Sequence, residues 1–343
     1  MLRQEMTASE YVSCALVIYI QPVICLMGLV FNCACVAVFV KVNNHEYYRK
    51  TSLIFYLTSL NLCNILQLML SILVIVFPAL EQFMDDEKFP QEYRILVETN
   101  AKTVRFAYPL LMAANYASIW ILTLICAQRF HSICHPASPW KNHLNFVRRS
   151  KLCVALSVTL AIVINVVRLW ELQPASSSQG DLGDSTLRSS IWYKVVQEGF
   201  VYGLIVYGLP MLMLLWLNYK TFKIVLADDL ERCRPVAEHR TALMTFTVFV
   251  FFFLFTTMSV TLRLIMILSG DLFLHPEYVW MVDLSNLLMN ANALAMPVIC
   301  FLFTRGFRDL FFAVRHVSAT SDDPSIIYAQ EAKAIKPKYP VDV

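Results

Sequence analysis

Seven stretches of the chain carry no Asp, Glu, Lys or Arg: residues 11–40, 51–80, 106–128, 152–167, 199–219, 241–262 and 284–304. Runs this apolar and this long predict helices that cross a bilayer, for which about 20 residues are needed. The fourth run is only 16 residues long and then meets Arg168. It spans if Arg168 and Glu171 sit at the headgroup level, where long side chains snorkel toward water. The pattern therefore predicts an all-α membrane protein built as a seven-transmembrane helix bundle. The expected organisation is a short outer tail at residues 1–10, the helix bundle at 11–304, an amphipathic membrane-surface helix at 305–317 and a disordered tail at 318–343. The surface helix is read from "FTRGFRDLFFAVRHV", which has an apolar face and carries Arg305, Arg308 and Arg315.

Composition agrees with a bilayer. Of 343 residues, 58% are hydrophobic and 15% charged, whereas soluble globules lie nearer half apolar and a quarter charged. Charge then orients the chain. With the N-terminus outside, the cytoplasmic segments hold 19 Lys and Arg and the outer side 9, while the acids divide 15 outside to 10 inside. The outer face is thus near −6 and the inner face near +9, the bias expected for N-out, C-in topology. No short apolar segment with a small-residue cleavage site precedes residue 14, so the first run reads as a span and not as a removed leader. The ten cysteines lie almost wholly in spans or on the cytoplasmic side. Only Cys14 is near the outside, so no disulfide links the outer loops.

These features narrow the function classes. A pore or secondary transporter would show paired repeats, broken helices and ionisable residues at the membrane midplane, but the seven runs are uncharged through their middles. No enzymatic activity, cofactor or nucleic-acid partner is expected. His131, Cys134 and His135 lack an evident fourth ligand for zinc. A receptor is favoured, with its ligand caught by the loops and helix ends because the outer tail is so short.

Several stretches in order resemble the rhodopsin-like G-protein-coupled receptors, and among them the FMRFamide-type neuropeptide receptors of invertebrates. "SIWILTLICAQRFHSICHP" (Ser118 to Pro136) is similar to that family's third-helix end, where Asp or Glu, Arg, and Tyr or Phe are followed by Cys-His-Pro. "NVVRLWE" (Asn165 to Glu171) resembles its Asn-x-Pro-Arg-Phe-Phe-Glu at the outer end of helix four. "VYGLPMLMLLWLN" (Val206 to Asn218) carries the fifth-helix proline, and "DLSNLLMNANALAMPVICFLFTRGFRDLF" (Asp283 to Phe311) follows the seventh helix into the surface helix. The resemblance covers residues 14–312. It implies a cell-surface receptor that couples an FMRFamide-like peptide at the outer helix ends to a heterotrimeric G protein. A chemosensory receptor for a small molecule, and a non-signalling or transport protein, are the alternative readings.

Site residues follow from the two ends of the helices. Arg129 sits at the cytoplasmic end of a span, where a desolvated guanidinium needs a partner, and Glu238 at the start of the sixth run is placed to be one. In the family such a pair holds helices three and six at rest; the alternative is that Arg129 marks the positive-inside boundary. Gln128, Phe130, Pro297 and Cys300 belong to the same activation and coupling set by resemblance. Asn32, Asn64 and Asn292 align with the family's interior polar positions, as signalling residues or as interhelical glue.

Departures from the family are numerous. Gln128 replaces the acid before the arginine, and Met296 and Cys300 replace the amide and phenol around Pro297. Thr256 and Met258 stand near the usual tryptophan and proline of span six, and Val104 takes the place of the disulfide cysteine. Neutral Asn64 replaces an interior Asp and removes the charge that a sodium ion would need.

At the outer ends the candidate ligand contacts are Arg105, Tyr108, Glu171, Glu198, Arg263, Asp283 and Asn286, with Asp283, Asn286 and Asn290 on one helical face. Arg263 and Asp283 pair with each other in the alternative, structural reading. The acidic outer surface would steer a cationic RF-amide peptide inward. The basic inner face suits anionic membrane lipids and a transducer. Val341 and Val343 fit addition to the sheet edge of a PDZ protein.

Overall fold

In a computed structural model, residues 7–43, 52–83, 90–135, 138–174, 182–229, 236–269 and 276–303 are described. The expected surface helix at 305–317, the C-terminal tail and its valines lie outside them.

Seven long helices form among these residues: α1 (8–43), α2 (52–83), α3 (Pro90–Ile133), α4 (150–170), α5 (191–229), α6 (Val236–Ser269) and α7 (Val279–Phe303). A capping box starts α1: the Thr7 hydroxyl accepts from the Glu10 amide at 3.3 Å while the Glu10 carboxylate accepts from the Thr7 amide at 2.8 Å. Wider π turns occupy Ala15–Ile20 in α1, Ile72–Val76 in α2 and Val195–Gly208 in α5. Six of the helices are long and apolar enough to cross a membrane, with spans such as Ala8–Lys41 and Lys102–Ile133. The chain is a multi-pass membrane protein. Helix α7 carries Asp283, Ser285, Asn286, Asn290 and Asn292 along its outer part. Its 25 residues still reach about 37 Å at 1.5 Å per residue.

Helix α3 is the pillar. In its span 83% of the window is buried inside the protein, against 22–44% for the other five spans, so those five turn most of their surface toward the apolar surroundings. α3 packs on α2, α4 and α5; α6 joins α5 to α7; α7 closes the bundle against α1 and α2. A small antiparallel ribbon between α4 and α5 pairs β1 (Leu172–Pro174) with β2 (Leu182–Asp184), Gln173 opposite Gly183.

The polar residues of α7 find their partners along the α1–α2–α7 seam. Asn32 donates to the carbonyls of Gly28 at 2.8 Å and Ala293 at 3.2 Å, and Asn64 donates to Asn32 and to the Ala293 carbonyl, each at 3.4 Å. One turn outward, Asn290 donates to the Ser71 hydroxyl at 2.6 Å and accepts from Gln67 at 3.4 Å. The interior position expected of Asn292 is therefore held by Asn290 and the Ala293 carbonyl. The Asn292 amide oxygen is buried with no hydrogen-bond partner among the described residues. Two residues turn a helix by about 200°, so Asn290 and Asn292 cannot both face α2. Pro297 is buried within α7 and interrupts its backbone hydrogen bonding.

Gly28 allows α1 to lie close to α2. A Cβ there would come within 2.7 Å of a Leu68 methyl, and Leu68 is fully buried. Gly28→Val is therefore expected to lower stability by about 1–3 kcal/mol through overpacking. A fall in the thermal unfolding midpoint of the detergent-solubilised protein is the measurement; an unchanged midpoint would show that the seam relaxes.

Candidate functional site

A cavity of about 620 Å³ opens between the outer helix ends, walled by α1, α2, α3, α5, α6, α7 and the turn after α4. Its charged floor is organised by Arg168. The sequence leaves two choices for this arginine, outward toward headgroups or inward, and the structure takes the second: the side chain is fully buried. Helix α4 tightens to a 3-10 turn over Val167–Trp170, which carries Arg168 toward α3 and α5. The snorkelling expected of Arg168 and Glu171 is thus replaced by burial, because five acceptors converge on the guanidinium.

Those acceptors come from three helices and a turn. Arg168 Nε donates to Asn165 Oδ1 at 2.9 Å, Nη1 to the Tyr108 hydroxyl and to Glu171 Oε1, both at 3.0 Å, and Nη2 to the Tyr116 hydroxyl at 3.1 Å. Nη2 also pairs with Glu198 Oε1 at 2.9 Å. The second Glu198 oxygen pairs with Arg263 of α6, whose guanidinium stacks 4.2 Å from the centre of the Tyr202 ring. The Tyr193 hydroxyl donates to Glu171 at 2.5 Å. Two guanidinia and two carboxylates thus form one neutral cluster, the condition under which buried charge is tolerated.

Opposite, on α7, Asp283 accepts from the Ser13 hydroxyl of α1. It does not pair with Arg263, so the structural pairing of those two is replaced by Arg263–Glu198 and Asp283–Ser13. Of the seven expected ligand contacts, the cavity is lined by Tyr108, Glu171, Glu198, Arg263, Asp283 and Asn286; Arg105 is not among its lining residues. Sequence reasoning missed the organising roles of Arg168, Tyr116 and Tyr193. The signal for the first was present, a lone guanidinium ending an apolar run inside "NVVRLWE".

At the cytoplasmic end, Phe130 is buried and meets Trp216 of α5 edge-on with ring centres 5.7 Å apart. Trp216 in turn meets Trp140, from the short helix Pro139–His143, at 4.8 Å. The Gln128 amide reaches the Ser52 hydroxyl of α2 at 3.5 Å, so it turns toward α2. Arg129 is half-buried on α3. Glu238 lies on α6 and Cys300 on α7, but their side chains lie outside the described residues. No group of three or more metal-ligating side chains gathers among the described residues.

No family model matches the chain. It is 22% identical over 295 residues to a protein of Drosophila melanogaster named FMRFamide receptor, a match covering 82% of this chain. The chain spans about half, 52%, of the length of that relative. A likeness to a receptor and a bundle of apolar helices therefore stand together.

Because Arg168 neutralises two carboxylates in a buried site, Arg168→Leu is expected to destabilise the protein by about 3–5 kcal/mol. Tyr116→Phe, which removes one hydrogen bond, should cost about 1 kcal/mol. Arg168→Lys should not rescue the loss, since an ammonium on a flexible stem cannot meet the same fork of acceptors. Thermal melts of the three purified variants check the order; equal melts for Arg168→Leu and Tyr116→Phe would remove Arg168 from its organising role.

Proposed function

We propose that the chain is a seven-span, N-out receptor of the plasma membrane, rhodopsin-like in type, that binds an FMRFamide-like peptide and activates a heterotrimeric G protein. The observation that carries the reading is the outer cavity, whose volume of about 620 Å³ lies within the range of ligand sites. Charged and aromatic groups from α3, α5, α6 and α7 converge on it. The length of α7 and its packing between α6 and α1 support its place as the seventh span. The excess of Lys and Arg on one side of the membrane supports N-out topology. The 22% match to a protein named FMRFamide receptor supports a peptide ligand.

On this reading an acidic outer surface concentrates a cationic peptide, and the end of the peptide enters the cavity. Arg129, at the inner end of α3, serves the transducer side of the bundle, with Gln128, Phe130, Glu238, Pro297 and Cys300 in the same coupling set. The Asn32–Asn64–Ala293 layer joins α1, α2 and α7 between the two ends. Anionic lipids of the inner leaflet meet the basic cytoplasmic face. The protein carries no enzymatic activity of its own.

Cells expressing the chain, challenged with a panel of RF-amide peptides, are expected to show nucleotide exchange on a G protein with at least one of them. Response to small organic molecules alone would overturn the peptide reading. In the same assay, Arg129→Ala is expected to reduce agonist-driven exchange by about tenfold, the scale of a typical coupling energy. An unchanged response would leave Arg129 as a boundary charge.

A further inference from the structure

Three carboxylates line the cavity among the described residues, Glu171, Glu198 and Asp283, and they are not equivalent. Glu171 is buried and engaged by Arg168 and Tyr193. Both oxygens of Glu198 are paired, one with Arg168 and the other with Arg263. Asp283 has no cationic partner among the described residues; its hydrogen bond is to the neutral hydroxyl of Ser13. A hydroxyl offsets only part of what a carboxylate loses on leaving water.

We infer that Asp283 anchors the arginine guanidinium of the ligand, while Glu171 and Glu198 are wall residues that this guanidinium does not reach. The inference rests on the peptide-receptor reading and assigns the charged subsite within it. Three features of the cavity support the assignment. Ser13, itself buried on α1, orients the carboxylate from the side. Asn286, three residues on, lines the cavity on the same face of α7 and offers a neutral amide beside the carboxylate. Lys194 lines the cavity from the α5 side, so the field across the opening drives a cation toward α7. The guanidinium is the best-matched group, because its planar fork meets a carboxylate with two parallel hydrogen bonds.

The test crosses receptor and ligand changes. Membranes carrying the wild-type chain, Asp283→Asn, Asp283→Glu or Glu198→Gln are titrated with the peptide Phe-Met-Arg-Phe-amide and with its citrulline analogue, which keeps the shape of the arginine without its charge. The wild type is expected to bind the arginine peptide more tightly by about 30-fold, the loss typical of a desolvated charge pair cut on one side. Asp283→Asn should abolish that preference by weakening the arginine peptide alone, and Asp283→Glu should restore it. Glu198→Gln, acting through the wall, should weaken both peptides equally.

Equal binding of the two peptides by the wild type, or an arginine preference that survives in Asp283→Asn, overturns the inference and leaves the peptide reading standing. A preference lost in Glu198→Gln and kept in Asp283→Asn overturns it in favour of Glu198. Binding of neither peptide by a wild-type chain that reaches the cell surface overturns the reading of an FMRFamide-like ligand, and the inference with it.

Discussion

The outer half of the bundle depends on the burial of Arg168. A guanidinium without water must find its acceptors in the protein, and here they come from Asn165 on its own helix, Tyr108 and Tyr116 on α3, Glu171 in the turn after α4, and Glu198 on α5. Each acceptor fixes a helix end at a set distance from the others. Glu198 extends the connection to α6 through Arg263. The turn is held as well, since the Glu171 carbonyl accepts from the Ser185 amide at 3.0 Å and so ties the loop carrying β1 and β2 over the site. The width of the cavity is thus set by a network of charge and hydrogen bonds among four helices, and not by the apolar core beneath it.

The other half of the outer rim is held differently. Helix α1 is tied to the top of α7 by neutral contacts, Ser9 donating to the Glu277 carbonyl at 3.0 Å and Ser13 to Asp283. Below them the seam with α2 is made of amides and a serine. Such groups are few and individually worth about 1 kcal/mol in a membrane, but an unpaired amide in hydrocarbon costs more than that. The seam therefore selects a helix rotation more than it adds stability. The polar residues of α7 and the carbonyl of Ala293 fix how that helix faces α1 and α2.

Much of this was legible in the sequence, and the rest has physical reasons for being hidden. Uncharged runs mark the positions of the helices because charge in hydrocarbon is costly wherever it falls, and the described residues of all seven runs lie in long helices. Their convergence at the outer ends brings together six of the seven expected contacts. Partner choice was not legible. Arg168 can snorkel or turn inward with the same local sequence, and the decision rests with Tyr116 and Glu198, 52 and 30 positions away. Arg263 faced two acids, Glu198 and Asp283, and only the relative rotation of α5, α6 and α7 settles which one it meets. Asn290 and Asn292 differ by a helix phase that no pattern of apolar residues specifies, because these helices are apolar nearly all round.

The two ends of the bundle are joined by α3 and α5, which touch through aromatic rings at both. Near the cavity Tyr116 and Tyr202 lie 5.6 Å apart, and at the inner end Phe130 meets Trp216 at 5.7 Å. Helix α6 adds three polar contacts to α5: the Tyr202 hydroxyl donates to Ser259 at 3.1 Å, Tyr207 and Thr257 share a hydrogen bond at 2.7 Å, and Arg263 pairs with Glu198. All three contacts sit in the outer half, and rings also pack across the seam, Tyr207 on Phe252 at 5.8 Å and, toward the inner end, Phe222 with Phe246 at 5.5 Å. Polar contacts are directional and change partner without opening a void, whereas separating packed rings leaves a cavity whose cost grows with its volume. The outer, polar part of the α5–α6 seam is consequently the part that changes partners with the least loss of packing, and the rings of that seam and of the α3–α5 pair hold the three helices together.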